Sequence, residues 1–327
     1  MRTSRRTVVA VLVTATLVVA SQIGLSPAAS AGSHSDDHGV TPTKVYTLDP
    51  STHGNPEGVA WDSRTDTFFV GATGDGTIYR GKLTDDTITP FITPAETDGR
   101  SAVGMKVFRG KLYVAGGATG LISVYDIKTG SPTATFATGP GGFLNDLVVT
   151  GDGDVYVTDS FRPTLWHVTA SQVAAGSGVV DPISVCPEIP YTAGDFNLNG
   201  IVAFGGGREL VVVSSVTGQL FRITFDSHAT NDRRITPVDA PALVGGDGMI
   251  MDRGRLVVVT GAPARLNFLA LSRGHSKARL VDVRPDSTLR GPSTVARAED
   301  RYLVVNADFG TSTQPFTVSG LARLDGS

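Results

Sequence analysis

The sequence has one cysteine, Cys186, in 327 residues, so no intramolecular disulfide can form even in an oxidising compartment. A lone cysteine is expected as a small buried apolar side chain rather than a nucleophile. Helical periodicity is almost absent, and Thr169 to Ala175 offers at best one short turn. No G-x-S-x-G elbow occurs and no glycine-rich loop opens a helix, which leaves serine-hydrolase and nucleotide-binding readings without an anchor. An excess of basic residues is missing too. With 28 Lys and Arg against 31 Asp and Glu, the chain carries no electrostatic footprint for nucleic acid.

What is present begins with a leader. Arg2, Arg5 and Arg6 form a positive segment, Val8 to Ala20 is apolar or small throughout, and Ala29-Ser30-Ala31 gives an A-x-A cleavage signature. The apolar run falls short of the roughly 20 residues needed to cross a bilayer, which disfavours an uncleaved anchor. Ser4-Arg5-Arg6-Thr7 resembles a twin-arginine signal, so the export route is open between Sec and twin-arginine. Residues 1–31 are therefore expected as a signal peptide and 32–43, with His34 and His38 in a polar stretch, as a flexible N-terminus. Residues 44–327 remain as one all-β domain. Loss of three leader arginines leaves 25 basic against 31 acidic residues. The mature protein is expected to be extracellular, monomeric, and free of membrane and nucleic-acid partners.

The chain repeats one phrase. Glu57-Gly58-Val59-Ala60-Trp61 is followed by Val103-Gly104-Met105-Lys106-Val107 and Asn145-Asp146-Leu147-Val148-Val149. Next come Asn199-Gly200-Ile201-Val202-Ala203, Asp247-Gly248-Met249-Ile250-Met251 and a degenerate Ser293-Thr294-Val295-Ala296-Arg297. Their first residues are 46, 42, 54, 48 and 46 apart. Each copy continues through a Gly- or Asp-rich turn into further short β-branched and aromatic runs, such as Val155-Tyr156-Val157 and Leu165-Trp166-His167-Val168. Repeated units of about four antiparallel strands predict an all-β, six-bladed β-propeller with four-stranded antiparallel blades. The last unit runs out after its third strand near Thr317 to Leu324, and Lys44-Val45-Tyr46-Thr47-Leu48 offers the missing one. That N-terminal strand is predicted to close the ring and so protect the open edges. A β-sandwich has comparable turn spacing but would not explain repeated copies of one phrase.

In a propeller the innermost strand of each blade lines the central channel. The first residues of the phrases, Glu57, Val103, Asn145, Asn199, Asp247 and Ser293, should then face its mouth. Asn, Asp and Gly are turn formers when taken singly. Their coincidence at one repeat position, joined by a glutamate, points instead to a site of hard oxygen donors suited to Ca²⁺, with Mg²⁺ or Mn²⁺ open. Two carboxylates there would raise each other's pKa unless a cation intervened. The column itself holds no lysine.

These residues also carry a resemblance. Pro56-Glu57-Gly58-Val59-Ala60-Trp61, Leu144-Asn145-Asp146, Leu198-Asn199-Gly200 and Gly246-Asp247-Gly248-Met249 resemble, in that order, the motifs of the SMP-30/gluconolactonase (regucalcin-like) family. The resemblance implies a divalent ion, typically calcium, held by Glu57, Asn199 and Asp247, with Asn145 beside it contacting substrate or a metal-bound water. It implies lactone hydrolysis, in which the ion polarises the carbonyl and activates a water, with Asp247 as general base. Members acting on sugar lactones commonly carry an arginine two residues before the asparagine that matches Asn145. Here that residue is Phe143, which favours an apolar or aromatic-lined substrate pocket. Two other functions stay open: a non-catalytic propeller that binds a ligand around a structural ion, and a strictosidine-synthase-like enzyme. His53, four residues before Glu57, is expected as a solvated loop histidine, His167 as structural, and Asp159 as a turn cap.

Overall fold

The computed structural model describes residues 42–94, 99–226 and 232–323. The expected leader, its cleavage site, and His34 and His38 lie outside the described residues. Strand β1 (Lys44–Leu48) comes first. Next along the chain are β2 (Pro56–Asp62), β3 (Thr67–Ala72), β4 (Ile78–Gly81) and β5 (Thr87–Ile92). Four further groups of four follow. They are β6 (Met105–Phe108), β7 (Lys111–Ala115), β8 (Leu121–Asp126) and β9 (Pro132–Ala137), then β10 (Leu144–Val149), β11 (Val155–Asp159), β12 (Thr164–Val168) and β13 (Asp181–Ser184). After them come β14 (Leu198–Phe204), β15 (Glu209–Ser214), β16 (Leu220–Phe225) and β17 (Arg233–Pro237), and β18 (Gly246–Asp252), β19 (Arg255–Gly261), β20 (Ala264–Leu271) and β21 (Ala278–Arg284). The last strands are β22 (Pro292–Ala298), β23 (Arg301–Asn306) and β24 (Thr317–Ala322).

The four middle groups are separate four-stranded antiparallel sheets, each pairing its strands in chain order. The remaining strands form one eight-stranded sheet in the order β2-β3-β4-β5-β1-β24-β23-β22. Within it β1 runs antiparallel to β24, from Lys44 opposite Gly320 to Thr47 opposite Thr317. Its parallel pairing with β5 is shorter, Thr47 with Thr87 and Leu48 with Ile88. The opening strands of the groups, β2, β6, β10, β14, β18 and β22, touch in that order, and β22 touches β2 again.

The repeated phrase explains this close approach. A Cβ on Gly58 would stand 1.9 Å from the carbonyl oxygen of Val103, on Gly104 2.4 Å from that of Asn145, and on Gly200 2.2 Å from that of Asp247. At these positions only glycine lets the opening strand lie so near its neighbour. Outside this contact, side chains from adjacent sheets interleave. Ala60, Phe69 and Ile78 of one group bury themselves against Met105, Leu112 and Val114 of the next. Each large side chain so buried contributes roughly 1.5–3 kcal/mol.

A short helix, α1 (Ala170–Ala175), extends the single turn expected there. Thr169 caps it through a capping box with Gln172, and Gly176 ends it at φ 80°. Cys186 departs from expectation: it is exposed rather than buried. It lies in the loop after β13, where its carbonyl oxygen accepts a bond from Arg233 Nη2 at 3.3 Å. The backbone there is held, and the thiol is left to solvent.

Candidate functional site

Glu57, Asn145, Asn199, Asp247 and Ser293 are each the second residue of an opening strand. In all five strands the pairing register shifts across this point, for example between Pro56 and Val59 and between Leu144 and Leu147. Such irregularities release a side chain from the sheet's alternation and re-aim it. In β10, β14 and β18 the sequence builds them from Gly, Asn and Asp, which tolerate the geometry.

Neighbouring hydroxyls hold the re-aimed residues. Asn145 Nδ2 donates to Ser160 Oγ at 3.0 Å, and Ser160 Oγ donates to the Leu198 carbonyl at 2.6 Å. Thr158 Oγ1 donates to the Asn199 carbonyl at 2.7 Å and accepts from the Asp146 N–H at 3.0 Å. Ser293 Oγ donates to the Glu57 carbonyl at 2.8 Å. One side-chain oxygen of each acid or amide stays without a partner. Glu57 Oε2, Asn145 Oδ1, Asp146 Oδ2, Asn199 Oδ1 and Asp247 Oδ1 are all buried without a hydrogen-bond partner. A buried polar atom left unpaired costs about 1–3 kcal/mol, and native folds hold few of them. Five gathered at the starts of four strands mark a place made to receive something.

The electrostatics agree. Burial, then the charges of Asp247 and Asp146, push the Glu57 carboxyl well above its ordinary pKa, with Lys106 and a Thr294 bond opposing. Asp247, although part of its surface is open, is pushed up to about 8 by burial and by Asp146, against bonds from Asn199 and the Gly248 N–H. Oxygen donors that cannot comfortably carry their charge fit a hard divalent cation. Two of the donors are amides, and among the described residues no cluster of three or more His, Cys, Asp or Glu is arranged to hold a metal.

Two members of this cluster lie outside the column picked out in the sequence. Asp146 is 2% exposed. It stands at the phrase's second position, where four copies have glycine. Lys106 places Nζ 2.9 Å from Asp146 Oδ1, so a lysine does reach the carboxylates, from the fourth position of its phrase. The other copies carry Ala60, Val148, Val202, Ile250 and Ala296 there. A comparison of the phrases at every position, and not only the first, would have found both residues.

The remaining candidates fall elsewhere. Val103 is buried and apolar at its place in the column. Phe143 packs on Phe161 and Phe196 with centroids 5.5 and 5.0 Å away. His53 Nδ1 meets Asp75 Oδ2 at 2.6 Å and Thr77 Oγ1 at 3.2 Å. His167 stacks on Tyr156 at 4.6 Å and bonds Asp154. Asp159 is wholly buried, and its Oδ1 accepts the N–H groups of Phe143, Phe161 and Arg162.

No family model and no curated protein matches the chain in sequence. Solved structures do match in fold. The fold and site together define an all-β protein of antiparallel four-stranded sheets whose neighbours are propellers, among them the WD40 β-propeller domain of Doa1 (TM-score 0.55, 12% identity, 81% of this chain and 78% of that one). Gluconolactonases recur among these neighbours, consistent with the SMP-30/gluconolactonase resemblance. One is XC5397 of Xanthomonas campestris, with TM-score 0.57 and 16% identity over 82% of this chain and 86% of that one. A luciferin-regenerating enzyme gives 0.61 and 16% over 86% and 96%.

Proposed function

We propose that the protein is a secreted six-bladed β-propeller that hydrolyses a lactone or ester with the help of a divalent cation, calcium in the first instance. The six-blade reading takes the eight-stranded sheet as two blades, β2–β5 and β22–β24 with β1, bridged by the short parallel pairing of β1 with β5. The cyclic contact of the six opening strands supports it. The function rests on one observation above the others: five buried oxygens, from Glu57, Asn145, Asp146, Asn199 and Asp247, have no partner in the protein.

In this reading Glu57, Asn199 and Asp247 hold the ion. Bound there, it would polarise the ester carbonyl and lower the pKa of a water. Asn145, its amide fixed by Ser160, presents Oδ1 to the water or to a substrate hydroxyl. Asp247, ionised beside the cation and with Oδ1 free of any partner in the protein, would accept the proton as the water oxygen adds to the carbonyl carbon. When the C–O bond to the leaving alkoxide breaks, Asp247 returns that proton to the alkoxide oxygen. Lys106 holds Asp146 and so limits the negative charge that gathers when substrate is absent.

The test is a panel of lactones and aryl esters with purified protein, calcium and chelator. We expect turnover that chelator abolishes and calcium restores. Asp247→Asn should remain folded and lose on the order of 10²–10⁴ in kcat, the usual worth of a positioned general base. Full activity in Asp247→Asn would overturn the mechanism. Export is tested separately by N-terminal sequencing of secreted protein, which should begin at Gly32.

A further inference from the structure

Three phenylalanines stand together at the end of the molecule where the opening strands begin. Phe143 precedes β10, Phe161 follows β11 and Phe196 precedes β14. Each ring touches the other two, at centroid distances of 5.5, 5.0 and 4.9 Å. Phe143 is partly buried, whereas Phe161 and Phe196 are 40% and 47% exposed. A contiguous exposed apolar cluster on a soluble domain marks a surface that meets something.

The backbone beneath the rings is braced. Asp159 Oδ1 accepts the N–H of Phe143 at 2.9 Å and that of Phe161 at 3.1 Å. Asn197, 1% exposed, donates through Nδ2 to the Ser160 carbonyl at 3.0 Å and to the Asp195 carbonyl at 2.8 Å, fixing the loop on either side of Phe196. Ser160 also takes the bond from Asn145 Nδ2. One residue therefore supports both the aromatic cluster and an amide of the oxygen site. Rings held this firmly in water lose little entropy when a ligand covers them.

We propose that Phe143, Phe161 and Phe196 form the wall that recognises an alkyl or aryl substituent of the substrate, next to the oxygens that would hold the cation its carbonyl meets. The substrate class is an apolar-substituted lactone or ester rather than a polyhydroxylated sugar lactone. This rests on the hydrolase reading for its reaction but not for its binding. The cluster has no side-chain hydrogen-bond donor of its own for sugar hydroxyls, and burying each methylene against it favours binding by up to about fourfold.

The experiment measures kcat/KM for γ-lactones of increasing alkyl chain, and in parallel the calorimetric affinity of the matching non-hydrolysable γ-lactams. Wild type should gain about two- to fourfold per methylene over the first few carbons in both series. Phe196→Ser and Phe161→Ser, at exposed positions, should flatten both slopes. Val179→Ser, an 81% exposed apolar position away from the cluster, should leave them unchanged. Turnover that does not depend on chain length would overturn the wall and leave the hydrolase. Chain-length-dependent lactam binding, lost in Phe196→Ser but without any turnover, would support the wall and refute the hydrolase. Sedimentation with neutral phospholipid vesicles that needs Phe196, with flat slopes in solution, would assign the cluster to a lipid surface and overturn the proposal.

Discussion

Strand β18 carries two aspartates, Asp247 at its start and Asp252 at its end, and the molecule treats them in opposite ways. Asp252 is 5% exposed and fully engaged. Its carboxylate accepts from Tyr302 Oη at 2.6 Å, from Arg323 Nη2 at 2.8 Å and Nε at 3.1 Å, and from Arg297 Nη1 at 3.3 Å. Burial alone would raise its pKa, but the tyrosine and the two arginines outweigh burial and hold it below the ordinary value. Asp247 has Oδ1 buried without a partner, and its pKa is raised to about 8. One carboxylate is finished by the protein, and the other waits for something the protein does not supply. The difference separates an acid that ties sheets together from one left with an unpartnered oxygen, although both lie on one strand.

The largest effect is expected at the finished end. Asp252→Asn leaves Arg323, whose side chain is 10% exposed, without its ion-pair partner, and breaking a buried pair typically costs about 3–5 kcal/mol. Denaturant unfolding should show a loss near the low end of that range, because Arg297 is half exposed and was contributing little. A loss below about 1 kcal/mol would break the contrast between the two ends. Lys106→Met sharpens it from the other side. Asp146 would keep its Leu147 N–H bond and lose its cation, destabilising the metal-free protein by about 1–3 kcal/mol. The same change removes a positive charge from the oxygen cluster, so calcium affinity by calorimetry should rise about tenfold, on the scale of a charge–charge term at an effective dielectric of about 20. Weaker calcium binding in Lys106→Met would show that Lys106 supports the ion site rather than competing with it.

Much of this was legible because repetition converts sequence position into spatial position. Glu57, Asn145, Asn199 and Asp247 fall at one place in the phrase, and the structure puts each at the second residue of an opening strand. The pairing of Lys44–Leu48 with β24 was readable from a unit one strand short. Lys106 and Asp146 were not read, because they occupy other positions in the phrase and meet only across neighbouring strands. The aromatic cluster was half legible. Phe143 stood out beside Asn145, but Phe161 and Phe196 lie in loops of different length whose approach depends on Asp159 and Asn197. The network around Asp252 joins residues 45 to 71 positions apart, and no local pattern announces it.

The smallest predicted effect is a sign. In metal-free protein Asp247 has a folded-state pKa of about 8 against an ordinary value of about 3.9. Between those values the folded state holds a proton that the unfolded state has released, so stability falls as pH rises through the window. Glu57, also raised, acts in the same direction. Asp252 acts oppositely but only in acid, where its contribution is lost as pH drops through its depressed pKa. Melting temperatures in chelator should therefore decline from pH 5 to pH 8. Asp247→Asn should flatten part of that decline and be more stable than wild type by about 1 kcal/mol at pH 8, since it removes an unpaired buried charge. With calcium in excess the trend should reverse, because an ion held by ionised carboxylates competes with protons. A melting temperature that climbs steadily from pH 5 to pH 8 in chelator would mean that the two ends of β18 are alike after all.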